Sequence, residues 1–256
     1  MKISHYTCAT IALGMIALGN ISAFATPTTL GYYPSTDIYS KDTWHLDVDS
    51  YGRGTKADAS ISTGLTYGFG KGDDSIFGRN EIGADYILSL GGTTPRDPNN
   101  GERLSSSKRL LGNFKTQLYS NDKKGVRVVA GAWLLGSKDI YAANVGYILG
   151  SKTFKFGRIH AGLAHSFSKK ETIATLDGDS DRTYLQLGYD RYLTKKIQFA
   201  VDYYSGKSAI SGVQPTLYYY LNDKASLGIG YFRLNDKDIS PTRNQVYLSF
   251  DYNFGG

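Results

Sequence analysis

Apolar and polar residues alternate one by one along most of this chain. In 57–69, Ala57, Ala59, Ile61, Thr63, Leu65, Tyr67 and Phe69 interleave with Asp58, Ser60, Ser62, Gly64, Thr66 and Gly68. In 80–90, Ile82, Ala84, Tyr86 and Leu88 oppose Glu81, Gly83, Asp85 and Ser89, with Ile87 breaking the rule. In 243–254, Val246, Leu248, Phe250, Tyr252 and Phe254 oppose Tyr247, Ser249, Asp251 and Asn253. A side-chain period of two is the strand period. About twelve such segments follow one another, near 43–51, 57–69, 80–90, 108–120, 125–135, 139–149, 156–168, 182–192, 196–205, 213–221, 225–234 and 243–254. After residue 25 no segment has a convincing amphipathic-helix pattern. No fixed-length repeat appears either, which disfavours a propeller or solenoid.

A soluble sandwich would alternate too, so length, face chemistry and loop parity have to decide. Many of the segments run 9–13 residues, the length a tilted strand needs to cross a bilayer, whereas strands of soluble sheets average about five or six. The polar face carries Gly, Ser, Asn, Tyr and isolated charges, while most Lys residues fall in turns. Even-numbered connections are mostly tight, such as SNDKKG and LNDKA. The long ones, GGTTPRDPNNGERLSSSK, SKKETIATLDGDSDR and LNDKDISPTR, are all odd-numbered and so emerge at one end. This predicts an all-β fold: an antiparallel transmembrane β-barrel of about 12 strands (10–14), with short periplasmic turns and longer extracellular loops. The Leu/Ile face then meets lipid and the Gly/Ser/Tyr face meets the lumen. On this reading Tyr67, Tyr86, Tyr147, Tyr189 and Tyr219 point outward, and Tyr51, Tyr119, Tyr184, Tyr204, Tyr218, Tyr220 and Tyr247 point inward.

The N-terminus changes the picture of where the barrel goes. Lys2, the apolar run Ala9–Leu18 and Ala23-Phe24-Ala25 have the layout of a secretory signal peptide cut after Ala25. The run is too short for a membrane anchor. The expected organisation is therefore a signal peptide, 1–25; an N-terminal periplasmic segment, 26–42; and a transmembrane barrel, 43–256, in the cell outer membrane. Cys8 leaves with the signal, so the exported chain has no disulfide to rely on. Net charge is +6 for the whole chain. The basic residues are scattered through turns and form no aromatic-interleaved stripe, which excludes a nucleic-acid partner.

RYLTKKIQFAVDYY and YYLNDKASLGIGYF resemble the periplasmic-turn hairpins of the porin-like superfamily of Gram-negative outer-membrane barrels. GLTYGFG followed by NEIGADY is similar to a hairpin common in uncharacterised members of that superfamily, and QVYLSFDYNF resembles a C-terminal assembly signal. The resemblance implies partners of two kinds: outer-membrane lipid, and the barrel-assembly machinery read through Tyr252 and Phe254.

Candidate chemistry lies on the polar face. Asp47, Asp49, Asp85, Lys115, Arg158, His160 and Asp202 form a candidate constriction. Acids occupy strands 1, 2, 3, 8, 9 and 12, so much of the acid flanks the seam, and bases sit on strands 4, 5 and 7. Two readings stay open: opposed charges make a transverse field across an open pore for small polar solutes, or the charges pair and close the lumen. Catalysis is disfavoured. His165 and Ser166 are consecutive on a strand and point to opposite faces. Neither a metal-ligand cluster nor a cofactor motif is present. The favoured function is a porin-like channel that passes or binds small polar solutes. The alternatives are a non-conducting barrel acting through its long loops as an adhesin, receptor or envelope-structural element and, less favoured, an outer-membrane lipid hydrolase.

Overall fold

The computed structural model describes residues 28–52, 59–89, 109–136, 142–169, 180–236 and 244–256. Twelve antiparallel strands form one closed barrel in simple meander order. They are β1 (Thr43–Gly52), β2 (Ser60–Gly70), β3 (Arg79–Ser89), β4 (Leu110–Asn121), β5 (Val126–Leu135), β6 (Val145–Phe154), β7 (Gly157–Ser166), β8 (Thr183–Tyr192), β9 (Ile197–Tyr204), β10 (Gly212–Tyr220), β11 (Ala225–Leu234) and β12 (Asn244–Gly255). Closure is the β1–β12 pairing, unbroken from Thr43↔Gly255 to Gly52↔Val246.

The wall is inside-out relative to a soluble domain. Ile82, Ile148, Leu163, Leu185, Leu217, Ile229 and Leu248 point outward and are exposed, Leu163 and Ile229 at 56% each. Glu81, Lys115, Gln186 and Gln214 point inward and are 0% exposed. A continuous apolar exterior around a polar interior is the arrangement that lipid outside the barrel requires. Trp44 lies 4.6 Å from Tyr67 and 6.5 Å from Phe254, giving the turn rim an aromatic band of the kind found at bilayer interfaces.

The even connections are compact: 71–78, 122–125, 155–156, 193–196 and 221–224. The three long odd connections fall largely outside the described residues. Strand positions depart from the expected ones mainly at β6, expected over 139–149 and found at Val145–Phe154. The segment GSKTF, expected as a turn, continues the strand. The chain reverses only at Lys155-Phe156, where Gly157 takes φ 144°.

Two tyrosines face opposite to expectation. Tyr147 is buried in the lumen; VGYILG is apolar on both faces, so alternation does not specify its side. Tyr119 is exposed on the outside. A bulge in β4 between Gln117 and Tyr119 adds one residue against β5 and flips the parity beyond it.

Outward-facing Leu65→Arg and Leu248→Arg should each destabilise the barrel by roughly 2–4 kcal/mol. Inward-facing Ser226→Arg, beside Asp251, should cost under about 1 kcal/mol. Urea titration of protein folded into lipid vesicles measures both.

Candidate functional site

The segment expected outside the barrel lies within it. Residues 28–42 enter the lumen and run against the inner wall. The first turn is a small hairpin: Thr29 bridges Pro34, Ser35 N–H donates to Thr28 O at 2.8 Å, and Leu30 N–H donates to Tyr33 O at 3.1 Å. The aromatic and apolar run Leu30-Gly31-Tyr32-Tyr33-Pro34 is the signal that sequence reading passed over. It is too apolar for a solvated linker, yet too short for a strand.

Asp202, on β9, fixes the tip of this plug. Its Oδ2 accepts the N–H groups of Gly31, Tyr32 and Tyr33, each at 2.9 Å. Three successive amides turned on one carboxylate make a charge-assisted clamp. Gly31 is required by close approach, since a Cβ there would lie 2.7 Å from Thr216 Oγ1. Tyr33 stacks on Tyr204 at 3.7 Å, Tyr204 stacks on Tyr184 at 5.1 Å, and the Tyr33 hydroxyl donates to Ile210 O at 2.7 Å. Tyr32 packs against Phe232 at 4.5 Å and Trp133 at 5.6 Å. These wall residues come from the loop-side ends of their strands, so the aromatic cluster fills the loop-side half of the lumen.

Farther along the plug, ion pairs take over. Lys115, on β4, donates to Thr28 O at 2.8 Å and Asp37 O at 2.7 Å, and pairs with Glu81 at 3.0 Å. All three ammonium hydrogens thus have acceptors. Glu81 in turn accepts Thr28 N–H at 2.8 Å, Thr28 Oγ1–H at 2.7 Å and Tyr39 N–H at 3.1 Å. Asp37 receives Arg158 through both terminal nitrogens, at 2.6 and 2.5 Å, and Arg127 at 2.9 Å. Arg158 also binds Asp190 at 2.9 Å, and His160 Nε2 lies 3.0 Å from Asp190. Burial alone would raise the Asp37 carboxyl. Hydrogen bonding and charge from Arg158, with the charges of His160 and Arg127, outweigh it and hold the group well below the usual carboxylate range.

The seven candidate residues therefore separate into two groups. Lys115, Arg158, His160 and Asp202 converge on the plug. Asp47, Asp49 and Asp85 do not join them; they line the β1–β3 wall next to the seam, with Asp251 opposite Asp47 in register. Asp49 accepts the Tyr247 hydroxyl at 3.0 Å, and His45 Nε2 lies 3.7 Å from both Asp47 and Asp251. The bases are neutralised locally by Glu81, Asp190 and Asp37 and are not held opposite the seam acids. Sequence reasoning left out Asp37, because nothing in the pattern marks residues 28–42 as an internal element.

Below the plug a cavity of about 670 Å³ lies toward the turn rim, bounded by Phe154, Lys155, Phe156, Tyr192 and Asn253 there and by Asp49, Asp251, Tyr218 and Tyr247 deeper in. On the outside wall, His165 Nδ1 lies 2.8 Å from Thr183 Oγ1, while Ser166 faces inward and donates to Ala143 O at 2.5 Å. No serine–histidine pair forms there. Among the described residues no three His, Cys, Asp or Glu side chains converge as a ready-made metal centre.

No protein-family model matches the chain, and no curated protein matches it. Among solved structures, the NanC porin aligns with TM-score 0.48 and 10% identity, over 82% of this chain and 99% of that one. Outer membrane phospholipase A from Escherichia coli aligns with TM-score 0.45 and 12% identity, over 86% and 91%. A loop-deletion variant of OmpT, an outer membrane protein of Vibrio cholerae, aligns with TM-score 0.36 and 12% identity, over 83% and 98%. The fold assignment rests on the closed twelve-strand barrel itself.

Lys115→Met leaves Glu81 buried without its cation and should cost roughly 3–5 kcal/mol, of which adding Glu81→Gln should recover more than half. Asp37→Asn should cost about 2 kcal/mol at pH 6. The folded Asp37 carboxyl titrates below its unfolded value, so its contribution is complete above about pH 4 and fades as pH falls further. The Asp37→Asn deficit in urea midpoint should shrink accordingly in acid.

Proposed function

We propose that this chain is an outer-membrane, porin-like barrel held closed by its own N-terminal segment. It binds small polar solutes in the vestibule at the periplasmic rim and passes them only when that segment shifts. The supporting observation is the clamp of Asp202 on Gly31, Tyr32 and Tyr33, backed by the Arg158–Asp37 fork. Both are polar and reversible, and both join the plug to the β7–β9 stretch of wall. In this reading the signal peptide, cut after Ala25, exports the chain. Tyr252 and Phe254 present the last strand to the assembly machinery, lipid covers the apolar exterior, and no catalytic step is involved.

A second reading, a barrel that never conducts, is favoured by the aromatic filling around Tyr204 and Trp133. Its contribution to the cell would then run through the long loops.

Planar-bilayer recording separates the two. Wild type should stay closed for most of the record. Deletion of residues 28–42 should give a sustained ohmic conductance. Asp202→Ala with Asp37→Ala removes charge-assisted bonds worth about 3 kcal/mol or more in sum, so its open fraction should rise at least about a hundredfold. A deletion variant that folds yet passes no current defeats the channel reading and leaves the closed barrel.

A further inference from the structure

The outward face of β11 carries a charge at the edge of the lipid-facing wall. Ile229, Tyr231 and Arg233 alternate outward along this strand, and Ile229 and Tyr231 are 56% and 44% exposed. Arg233 is exposed as well, one residue from the loop-side end of β11. Its guanidinium takes part in no ion pair or side-chain hydrogen bond among the described residues. An outward Arg costs about 2–4 kcal/mol at mid-bilayer but only about 0–1 kcal/mol near an interface. Arg233 therefore stands at headgroup level, with its charge left for a partner outside the chain.

Around Arg233 the wall forms a pocket. Val213 pairs with Arg233 on one side and with Tyr203 on the other, so the three stand in one row across β11, β10 and β9. A cavity of about 480 Å³ opens along this row, bounded by Tyr203, Val213, Arg233 and Asn235 and, in the β9–β10 connection, by Gly206 and Lys207. That connection is fixed in place. Asn235 Nδ2–H donates to Tyr204 O and Gly206 O, each at 2.8 Å. Lys207 N–H donates to Asp181 Oδ2 at 2.7 Å, and Lys207 O accepts Asp181 N–H at 2.7 Å. The wall on the turn side of Val213 is loosened. The β10–β11 ladder pairs Val213 with Arg233 and resumes only at Thr216 and Gly230, and Pro215 between them has no N–H to give. The pocket thus joins two cations to an interrupted stretch of apolar wall.

We propose that this pocket binds a membrane lipid with a phosphomonoester headgroup from the leaflet on the loop side. The phosphate sits between Arg233 and Lys207, and the acyl chains run along the wall past Val213 and Tyr231. Arg offers two parallel N–H groups to two phosphate oxygens, and Lys brings a point charge to the third. Two cations suit a dianion better than the single charge of a phosphodiester. Tyr203 supplies the amphipathic ring that favours this level of a bilayer. A soluble phosphate would gain the polar end alone, whereas a lipid also covers apolar wall, so the occupant is the lipid. The site is independent of whether the barrel conducts.

The test uses full-length exported protein, delipidated in a non-ionic detergent. It is titrated with dioleoyl phosphatidic acid, phosphatidylglycerol or phosphatidylcholine, and bound lipids are counted by native mass spectrometry. Wild type should retain one phosphatidic acid at least about tenfold more tightly than phosphatidylcholine, the equivalent of one charge-assisted pair. Phosphatidylglycerol should fall between them. Arg233→Gln/Lys207→Gln should lower phosphatidic acid to the phosphatidylcholine level. Arg233→Lys, which keeps the charge and loses the fork, should bind more weakly than wild type and more tightly than the double variant. Lys195→Gln/Lys196→Gln, in the turn between β8 and β9 at the other rim, should change nothing. Equal binding of phosphatidic acid and either other lipid overturns the proposal. So does phosphatidic acid binding that survives the double variant or falls with the turn variant. Displacement of the lipid by about 10 mM sn-glycerol 3-phosphate would assign the pocket to a soluble phosphate and overturn the lipid reading.

Discussion

A sheet immersed in hydrocarbon has no water to satisfy an open edge, and each unpaired backbone group there costs several kcal/mol. Everything else in this molecule follows from that constraint. β1 must find β12, and it does so along its whole length, from Thr43 to Gly52. Closure then creates an interior of fixed girth. Inward positions have to fill it or line a cavity within it, and outward positions have to be apolar. The exposed Leu163 and Ile229 and the buried Lys115 and Glu81 are two consequences of one closed ladder.

The interior is filled unevenly. On the loop side, Tyr33, Tyr204, Tyr184, Trp133 and Tyr51 make an aromatic core, with a segment from outside the sheet at its centre. On the turn side the filling is ionic and incomplete, and the vestibule remains. The plug joins the two regimes. Its hairpin tip is held by backbone amides on Asp202, and its stem by Asp37 on Arg158 and Arg127. Apolar contact gives the tip a fixed seat, while the charge-assisted bonds supply orientation and reversibility. A buried pair such as Lys115–Glu81 adds little net stability, yet losing one partner is costly. That asymmetry makes such pairs suited to defining one plugged arrangement over others.

Charge is segregated across the lumen. Bases on β4, β5 and β7 are matched by neighbours or by the plug, and acids near the seam are met by His45, hydroxyls and the Asn113 amide. The opposed-charge constriction expected from strand order is thereby replaced by a neutral latch and an acidic wall.

How much of this was legible in the sequence depends on the range of the interactions. Strand number, strand order, the lipid face and the inward set from His45 to Asp251 are all written in a period of two, which one residue and its neighbours suffice to express. Where both faces are apolar, as at Tyr147, or where a bulge adds a residue, as at Tyr119, the period carries no instruction and the fold decides. The sequence alone also determined that acids gather at the seam, because closure makes β1 and β12 neighbours. The path of residues 28–42 was beyond it. The plug's partners lie from 42 to 177 positions away, at Glu81, Lys115, Arg158, Asp202 and Ile210, and no local pattern encodes contacts made only after the barrel has closed around them.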